Sequence, residues 1–297
     1  MISQEARAEL ERLFAVRKGP DRPIAQRRRE WEEEALQQVL PAGASWSEAD
    51  AGGVAGEWMD MPDAAGDRVF LLLHGGGYNA GSPKTHRRMA ANLSQATGMR
   101  VLVPDYRLAP EHPFPAGVED AIATYDWLRT QGIAAANIVV GGDSAGGGLT
   151  LSMLLRLRET GAEMPRAAVL LAPWTDLTVS SESYERLRHL DPIITREGLR
   201  EAGLWYAGEG DPADPRMSPL FAEVAGLPPM LIHAGGDEVM VDDSRIFAER
   251  ARAAGVDVEF KIFPGMWHVF QGAGIGVPEA RSAIAEIGDY VRALFLA

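Results

Sequence analysis

The chain has 297 residues and no cysteine; 46% of it is hydrophobic, and 42 acidic against 29 basic side chains give a formal net charge of −13. That composition excludes general disorder, disulfide scaffolds, thiol catalysis and thiolate metal sites. The acidic balance argues against a nucleic-acid surface, which needs a basic footprint.

No apolar run approaches the ~18 residues of a membrane span, and the opening Met1-Ile2-Ser3-Gln4-Glu5 lacks an apolar signal core. A cytoplasmic protein is therefore expected, a monomer or homodimer without membrane or nucleic-acid partners. Residues 3–40 are charged, with two apolar sets at helical spacing: Leu10, Leu13, Phe14 and Val16, then Trp31, Ala35, Leu36 and Val39. Gly19-Pro20 breaks the segment into two helices. The run Arg27-Arg28-Arg29 beside Glu30 and Glu32 reads as a solvated, salt-bridged helix face rather than a docking patch.

Beyond Pro41 short apolar runs at 69–73, 100–103, 138–140, 167–171, 230–234 and 258–263 alternate with helical patterns. The helices are expected at 85–97, 117–130, 147–160, 242–254 and 279–295. The apolar runs lack polar alternation, as do strands covered on both faces. Strand and helix in repeated alternation mean an α/β fold with a mostly parallel sheet. The stretch 177–227, with a helix at 196–207 and a Pro-rich piece at 211–215, is too long for a simple connection and reads as an inserted cap. The expected organisation is an N-terminal helical cap segment (1–45) and a catalytic domain (46–297) carrying that insertion.

The strand at 138–140 runs into Gly141-Gly142-Asp143-Ser144-Ala145-Gly146, and a helix follows. Gly142-x-Ser144-x-Gly146 in that setting fits a nucleophile elbow, a sharp turn that exposes a serine above the sheet. A Cβ at either flanking glycine would clash in so tight a turn. A second glycine run, His74-Gly75-Gly76-Gly77-Tyr78, ends the strand at 69–73. Consecutive glycines let backbone N–H groups converge on an oxyanion, and Gly75, Gly76 and Ala145 are the expected donors. His74, before these glycines, reads as loop-fixing.

A serine nucleophile needs an imidazole base, and the base needs a carboxylate. Of six histidines, His268 follows the strand at 258–263 and reaches the sheet edge where side chains converge. His233 reads as a core residue, and His86, His112 and His189 fall in surface-like or Pro-rich segments. Asp237 follows the strand at 230–234 and the Gly235-Gly236 turn, while N-cap duty explains at least one of Asp242 and Asp243. Ser144, Asp237 and His268 follow the Ser…Asp…His order of this fold. Tyr78, Trp205 and Met217 are candidate substrate-lining groups, with ordinary packing as the alternative, and Asp143 either orients substrate or fixes the turn. No histidine spacing suits a metal, and no cofactor is expected.

With these residues in view, the sequence resembles the hormone-sensitive-lipase-like family of α/β-hydrolase carboxylesterases, in particular its bacterial Gly-Asp-Ser-Ala-Gly-Gly branch. The matching pieces are His74 to Gly77, Asp105-Tyr106-Arg107-Leu108-Ala109-Pro110-Glu111, Gly142 to Gly147, Ser218-Pro219-Leu220 and Gly265-Met266-x-His268. The resemblance implies an eight-stranded, mostly parallel sheet with a helical cap. It also implies Ser144, Asp237 and His268 as the triad, and the cleavage of short- to medium-chain acyl esters through an acyl-enzyme. One departure is Asp237-Glu238-Val239-Met240, where many relatives have Asp-Pro-Leu. Lactone hydrolysis or acetyl removal would use the same triad. A small-molecule receptor on this fold is the remaining alternative, but such receptors have lost the catalytic histidine, and His268 is present.

Overall fold

Along 69–73 successive apolar side chains leave the strand on opposite faces, as the two-residue repeat of a strand requires, and each face meets its own core. Val69, Leu71 and Leu73 join Ile138, Val140, Ala168 and Leu170 on one side. Phe70 and Leu72 join Val139, Val169 and Leu171 on the other. Both faces being buried explains why these strands read as unbroken apolar runs.

The computed structural model describes residues 2–16 and 22–296; the expected helix break at Gly19-Pro20 lies outside them. Helices α1 (Gln4–Val16) and α2 (Ile24–Ala35) come first, then β1 (Ser45–Asp50), β2 (Ala55–Asp60) and β3 (Ala65–Leu73). Next are α3 (Pro83–Thr97), β4 (Met99–Pro104), α4 (Ala116–Thr130), β5 (Ile138–Asp143), α5 (Ala145–Thr160) and β6 (Ala167–Leu171). The insertion carries α6 (Ser183–Arg186) and α7 (Arg196–Ala207), and β7 (Met230–Gly235), α8 (Val241–Ala253), β8 (Val258–Phe263) and α9 (Pro278–Leu294) complete the chain.

The eight strands form one sheet in the order β1-β2-β4-β3-β5-β6-β7-β8. From β4 to β8 the pairing is parallel; β1 and β2 add an antiparallel edge. This α/β-hydrolase arrangement agrees with expectation, and the six apolar runs fall on β3 to β8. The sequence SWSEAD of β1 is largely exposed and has no apolar face to reveal it. Its one signal is Gly52-Gly53, both at positive φ, which closes the hairpin beneath an Ala51 N–H to Val54 carbonyl bond of 2.7 Å.

The N-terminal helices are fastened by specific polar contacts. Ser3 donates from its N–H and Oγ to the Glu279 carboxylate at 2.6 and 2.7 Å, which pins α1 to α9. The three consecutive arginines of α2 diverge, contrary to a uniform solvated face. Arg29 is exposed, and Arg28 donates to the carbonyls of Asn79 and Ala109 at 2.7 and 2.8 Å and to both Glu111 oxygens. Arg27 faces a cavity on this side of the sheet.

Asp242 and Asp243 do not cap α8, whose N-cap is Met240 with no side-chain bond. Asp243 instead accepts from the N–H groups of Thr175 and Asp176 at 3.3 and 3.2 Å, and from the hydroxyls of Ser181 and Tyr184 at 2.9 Å. It thereby gathers the start of the insertion, and burial together with nearby Asp176 raises its carboxyl to about 7.

Candidate active site

Strand β5 passes into α5 through a single residue, Ser144, held at φ 54° and ψ −122°. So sharp a turn brings backbone against backbone: a Cβ on Gly142 would strike the Gly146 carbonyl, and one on Gly146 would strike the carbonyl oxygen of Leu73. The glycines of the elbow are thus required by close approach, as expected. The turn also sets Ser144 at the N-terminus of α5, whose dipole favours negative charge there.

His268 stands over this serine, its Nε2 2.8 Å from Ser144 Oγ. Its Nδ1 faces Oε2 of Glu238 at 3.2 Å. The carboxylate expected at this place, Asp237, is not there. Asp237 uses its N–H to bond the Met266 carbonyl at 2.9 Å, and its half-buried side chain makes no bond to His268. One residue later the chain faces the imidazole, and the extra methylene of a glutamate spans the gap. The only hint in the sequence was the glutamate standing where many relatives carry proline.

Both members of this pair are almost wholly buried. Burial alone would lower the His268 pKa, but the hydrogen bond and charge of Glu238, with the charge of Asp191 behind it, raise it above the ordinary imidazole value. Glu238 is raised in turn, mainly by burial and against the pull of His268. Asp191, which sequence reasoning missed, accepts from Val239 N–H at 3.0 Å and from the N–H groups of Ile193 and Ile194 at 2.8 and 2.9 Å. It thus ties the cavity wall of the cap to the loop that carries Glu238.

The oxyanion loop also departs from expectation by one residue. The N–H of Gly75 donates to Asp143 Oδ1 at 3.1 Å, so it is already engaged. Gly76 and Gly77 line the cavity at φ 119° and 63°, and among the described residues their N–H groups have no partner. The N–H of Ala145, in the first turn of α5, is likewise without one. The structure therefore offers Gly76, Gly77 and Ala145 rather than Gly75, Gly76 and Ala145.

His86, expected at the surface, is buried behind this loop. Thr85 Oγ1 donates to the Ser82 carbonyl and accepts from Ser82 N–H, so the His86 Nδ1 at 2.8 Å from it carries a proton. His86 Nε2 meets Asp143 Oδ1 at 3.2 Å. Burial would raise the Asp143 carboxyl, but the charge and bond of His86 and the Gly75 N–H hold it below the usual range. Asp143 thus fixes the turn. His74 is loop-fixing as expected: it stacks on Tyr106 at 4.1 Å, its Nδ1 lies 2.9 Å from the Gly75 carbonyl, and burial lowers it to about 3. His233 is a core residue against Phe263, lowered by burial to about 4.

Above Ser144 lies a cavity of about 780 Å³, walled by α1 and α2, by α3, and by the insertion through Ile194, Leu199 and Ala202. Of the four candidate substrate-lining residues only Asp143 borders it. Tyr78 is buried in a stack with Tyr206 at 3.8 Å and near Trp174 at 5.5 Å. Met217 belongs to the same core, and Trp205 lies beneath Arg27 rather than on the wall. Packing therefore claims these three. Trp31, edge-on to His86 at 5.8 Å, and Trp267 are lining aromatics that were overlooked. Among the described residues no group of His, Asp or Glu side chains is arranged to hold a metal ion, and no helix is long and apolar enough to cross a membrane.

Comparison with known proteins agrees with this geometry. Residues 70–272 match the profile of the alpha/beta hydrolase fold family. An esterase of Acinetobacter venetianus is 39% identical over 246 residues, covering 82% of this chain and 80% of its own. An acetyl-hydrolase of Streptomyces hygroscopicus is 39% identical over 236 residues, covering 80% and 79%. A crystal structure of an esterase from the bacterial hormone-sensitive lipase family superposes with a TM-score of 0.96 at 40% identity, covering 99% of both chains. The chain belongs to the hormone-sensitive-lipase-like esterases of the α/β-hydrolase family, and it is a carboxylic ester hydrolase.

Proposed function

We propose that the chain hydrolyses short- to medium-chain acyl esters through a Ser144–His268–Glu238 triad. The observation that carries this reading is the pair of contacts on one imidazole, 2.8 Å to Ser144 Oγ and 3.2 Å to Glu238 Oε2. His268 Nε2 takes the hydroxyl proton as Oγ attacks the ester carbonyl carbon, and Glu238 stabilises the imidazolium that forms. The N–H groups of Gly76, Gly77 and Ala145 receive the carbonyl oxygen as it becomes an oxyanion. Collapse breaks the carbon–oxygen bond of the ester, and the alcohol departs with the proton held by His268. Water, deprotonated by the same nitrogen, attacks the acyl-serine; the acid is released and Ser144 regains its proton.

A capped cavity of about 780 Å³ suits small soluble esters better than a lipid interface. The test is hydrolysis of p-nitrophenyl esters from acetate to palmitate by the wild type, Ser144→Ala and Glu238→Gln. The proposal requires a short-chain optimum and a loss of about 10⁴-fold or more on removing Ser144. Equal activity in wild type and Ser144→Ala would overturn it, as would sustained turnover of long-chain triglyceride emulsions.

A further inference from the structure

The cavity wall has a charge opposite to that of the chain as a whole. Its carboxylates, Glu9 and Asp143, each have a partner: Arg12 binds both Glu9 oxygens at 2.7 and 2.8 Å, and His86 meets Asp143. Its arginines outnumber them. Arg12 and Arg22 are paired, the latter with Glu30, but Arg27 and Arg88 form no ion pair among the described residues. Both have a buried Nε with no hydrogen-bond partner. Arg88 spends one terminal nitrogen on the Gly272 carbonyl, and the Arg27 side chain makes no hydrogen bond among the described residues. Its guanidinium is held only over the Trp205 ring, 5.9 Å from the centroid.

An unpaired guanidinium in a wall costs desolvation that a carboxylate would repay. In a chain of net charge −13 an acidic partner could readily have been supplied from within. A guanidinium lying over an indole keeps its terminal N–H groups available to a carboxylate. Position adds reach. Trp31, one turn after Arg27 on α2, lies over Gly76 in the oxyanion loop. Arg27 and Ser144 line the same cavity of about 780 Å³, so one small molecule can reach both.

We propose that Arg27 fits this cavity to esters that carry a second, free carboxylate several carbons from the scissile carbonyl, such as monoesters of dicarboxylic acids. This rests on the esterase reading above and names its substrate class. Arg88, on the α3 wall of the same cavity, adds to the positive potential. The carboxylate is bound as it stands and undergoes no chemistry, so hydrolysis proceeds as already written.

The experiment compares mono-p-nitrophenyl adipate with p-nitrophenyl hexanoate, which has the same acyl length and no charge. The wild type is expected to favour the adipate monoester by about tenfold or more in kcat/KM, with the advantage in KM. About 0.5 M salt should erode that preference, since screening acts on the charged substrate alone. Arg27→Gln should lower the adipate-to-hexanoate ratio by about tenfold or more, and Arg27→Lys should restore part of it. Calorimetric binding of monomethyl adipate against methyl hexanoate to Ser144→Ala, with and without Arg27→Gln, reads the same preference without turnover. No preference in the wild type, or a preference that survives Arg27→Gln, would overturn the proposal. If the wild type cleaves neither ester, the esterase reading fails, and binding to Ser144→Ala still decides whether the cavity selects a carboxylate.

Discussion

Glu238 Oε2 lies 3.2 Å from His268 Nδ1, with Glu238 fully buried and the imidazole nearly so. Its neighbour Asp237 is bonded into the loop by its backbone and is half open to solvent. The two adjacent carboxylates can therefore be told apart by substitution. Glu238→Gln should lower kcat by about 10³- to 10⁴-fold, because an amide neither stabilises the imidazolium nor enforces the right tautomer. Asp237→Asn should stay within about threefold of wild type. Steady-state kinetics on one short-chain ester checks both, and the reverse ranking would return the role to Asp237.

In the proposed triad the same contact sets the acid limb of the pH profile. His268 acts as a base only when neutral, and Glu238 raises its pKa above the ordinary imidazole value despite burial. A raised pKa means that protonation sets in at higher pH. The midpoint of kcat/KM for the free enzyme should therefore lie above about 6.5. In Glu238→Gln the raising influence is gone while burial remains, so the residual activity should persist to lower pH. A wild-type midpoint at or below the free-imidazole value would contradict the assignment.

Gly76 and Gly77 both sit at positive φ but differ in the space around them. A Cβ on Gly76 would collide with the Ala80 carbonyl and meet Trp31 at 3.0 Å, whereas on Gly77 the nearest atom, Ala202 Cβ, is 3.6 Å away. Gly76→Ala should lower kcat by about 10²- to 10³-fold, the scale of a lost oxyanion donor. Gly77→Ala carries mainly the left-handed backbone cost of about 1–2 kcal/mol. Comparing kcat with the melting temperature of each variant separates a displaced loop from a destabilised fold.

Asp143 and His86 brace the oxyanion loop from behind, and their effects should not add. A double-mutant cycle with Asp143→Asn and His86→Gln should give a coupling of about 1–3 kcal/mol in stability, as for buried partners of one network. Each single change should reduce kcat more than it alters KM, since neither residue holds the reacting bond. Because the Asp143 carboxyl is held below its usual range, its stabilisation is present above about pH 4. It is lost as the pH falls through the lowered value. Additive effects would mean that the two residues act independently.

The parallel core was legible because burial on both faces leaves a signal in every strand residue, as in 138–140 and 167–171. Strand β1 has no buried face and so wrote nothing but its Gly-Gly turn. At the site, Ser144 and His268 were legible since each stands next to a strand end with constrained neighbours. At Glu238 and at Gly76–Gly77 the geometry departs from the expectation by one residue. Motif spacing brings a segment to the sheet edge, but which of two successive side chains or N–H groups faces inward depends on backbone torsion. His86 and Asp191 left no pattern, because each works through a partner more than 45 residues away.

Helices α1 and α2 roof the cavity yet contribute none of Ser144, Glu238 and His268, which all come from the far side of the chain. Changes in the first forty residues can therefore reshape what is admitted while leaving the bond-breaking apparatus as it was. Exchanging that stretch between relatives becomes a way to move selectivity from one to another. Trp31 is where such grafts would be constrained, because it lies on Gly76 and any replacement there has to suit both the roof and the floor.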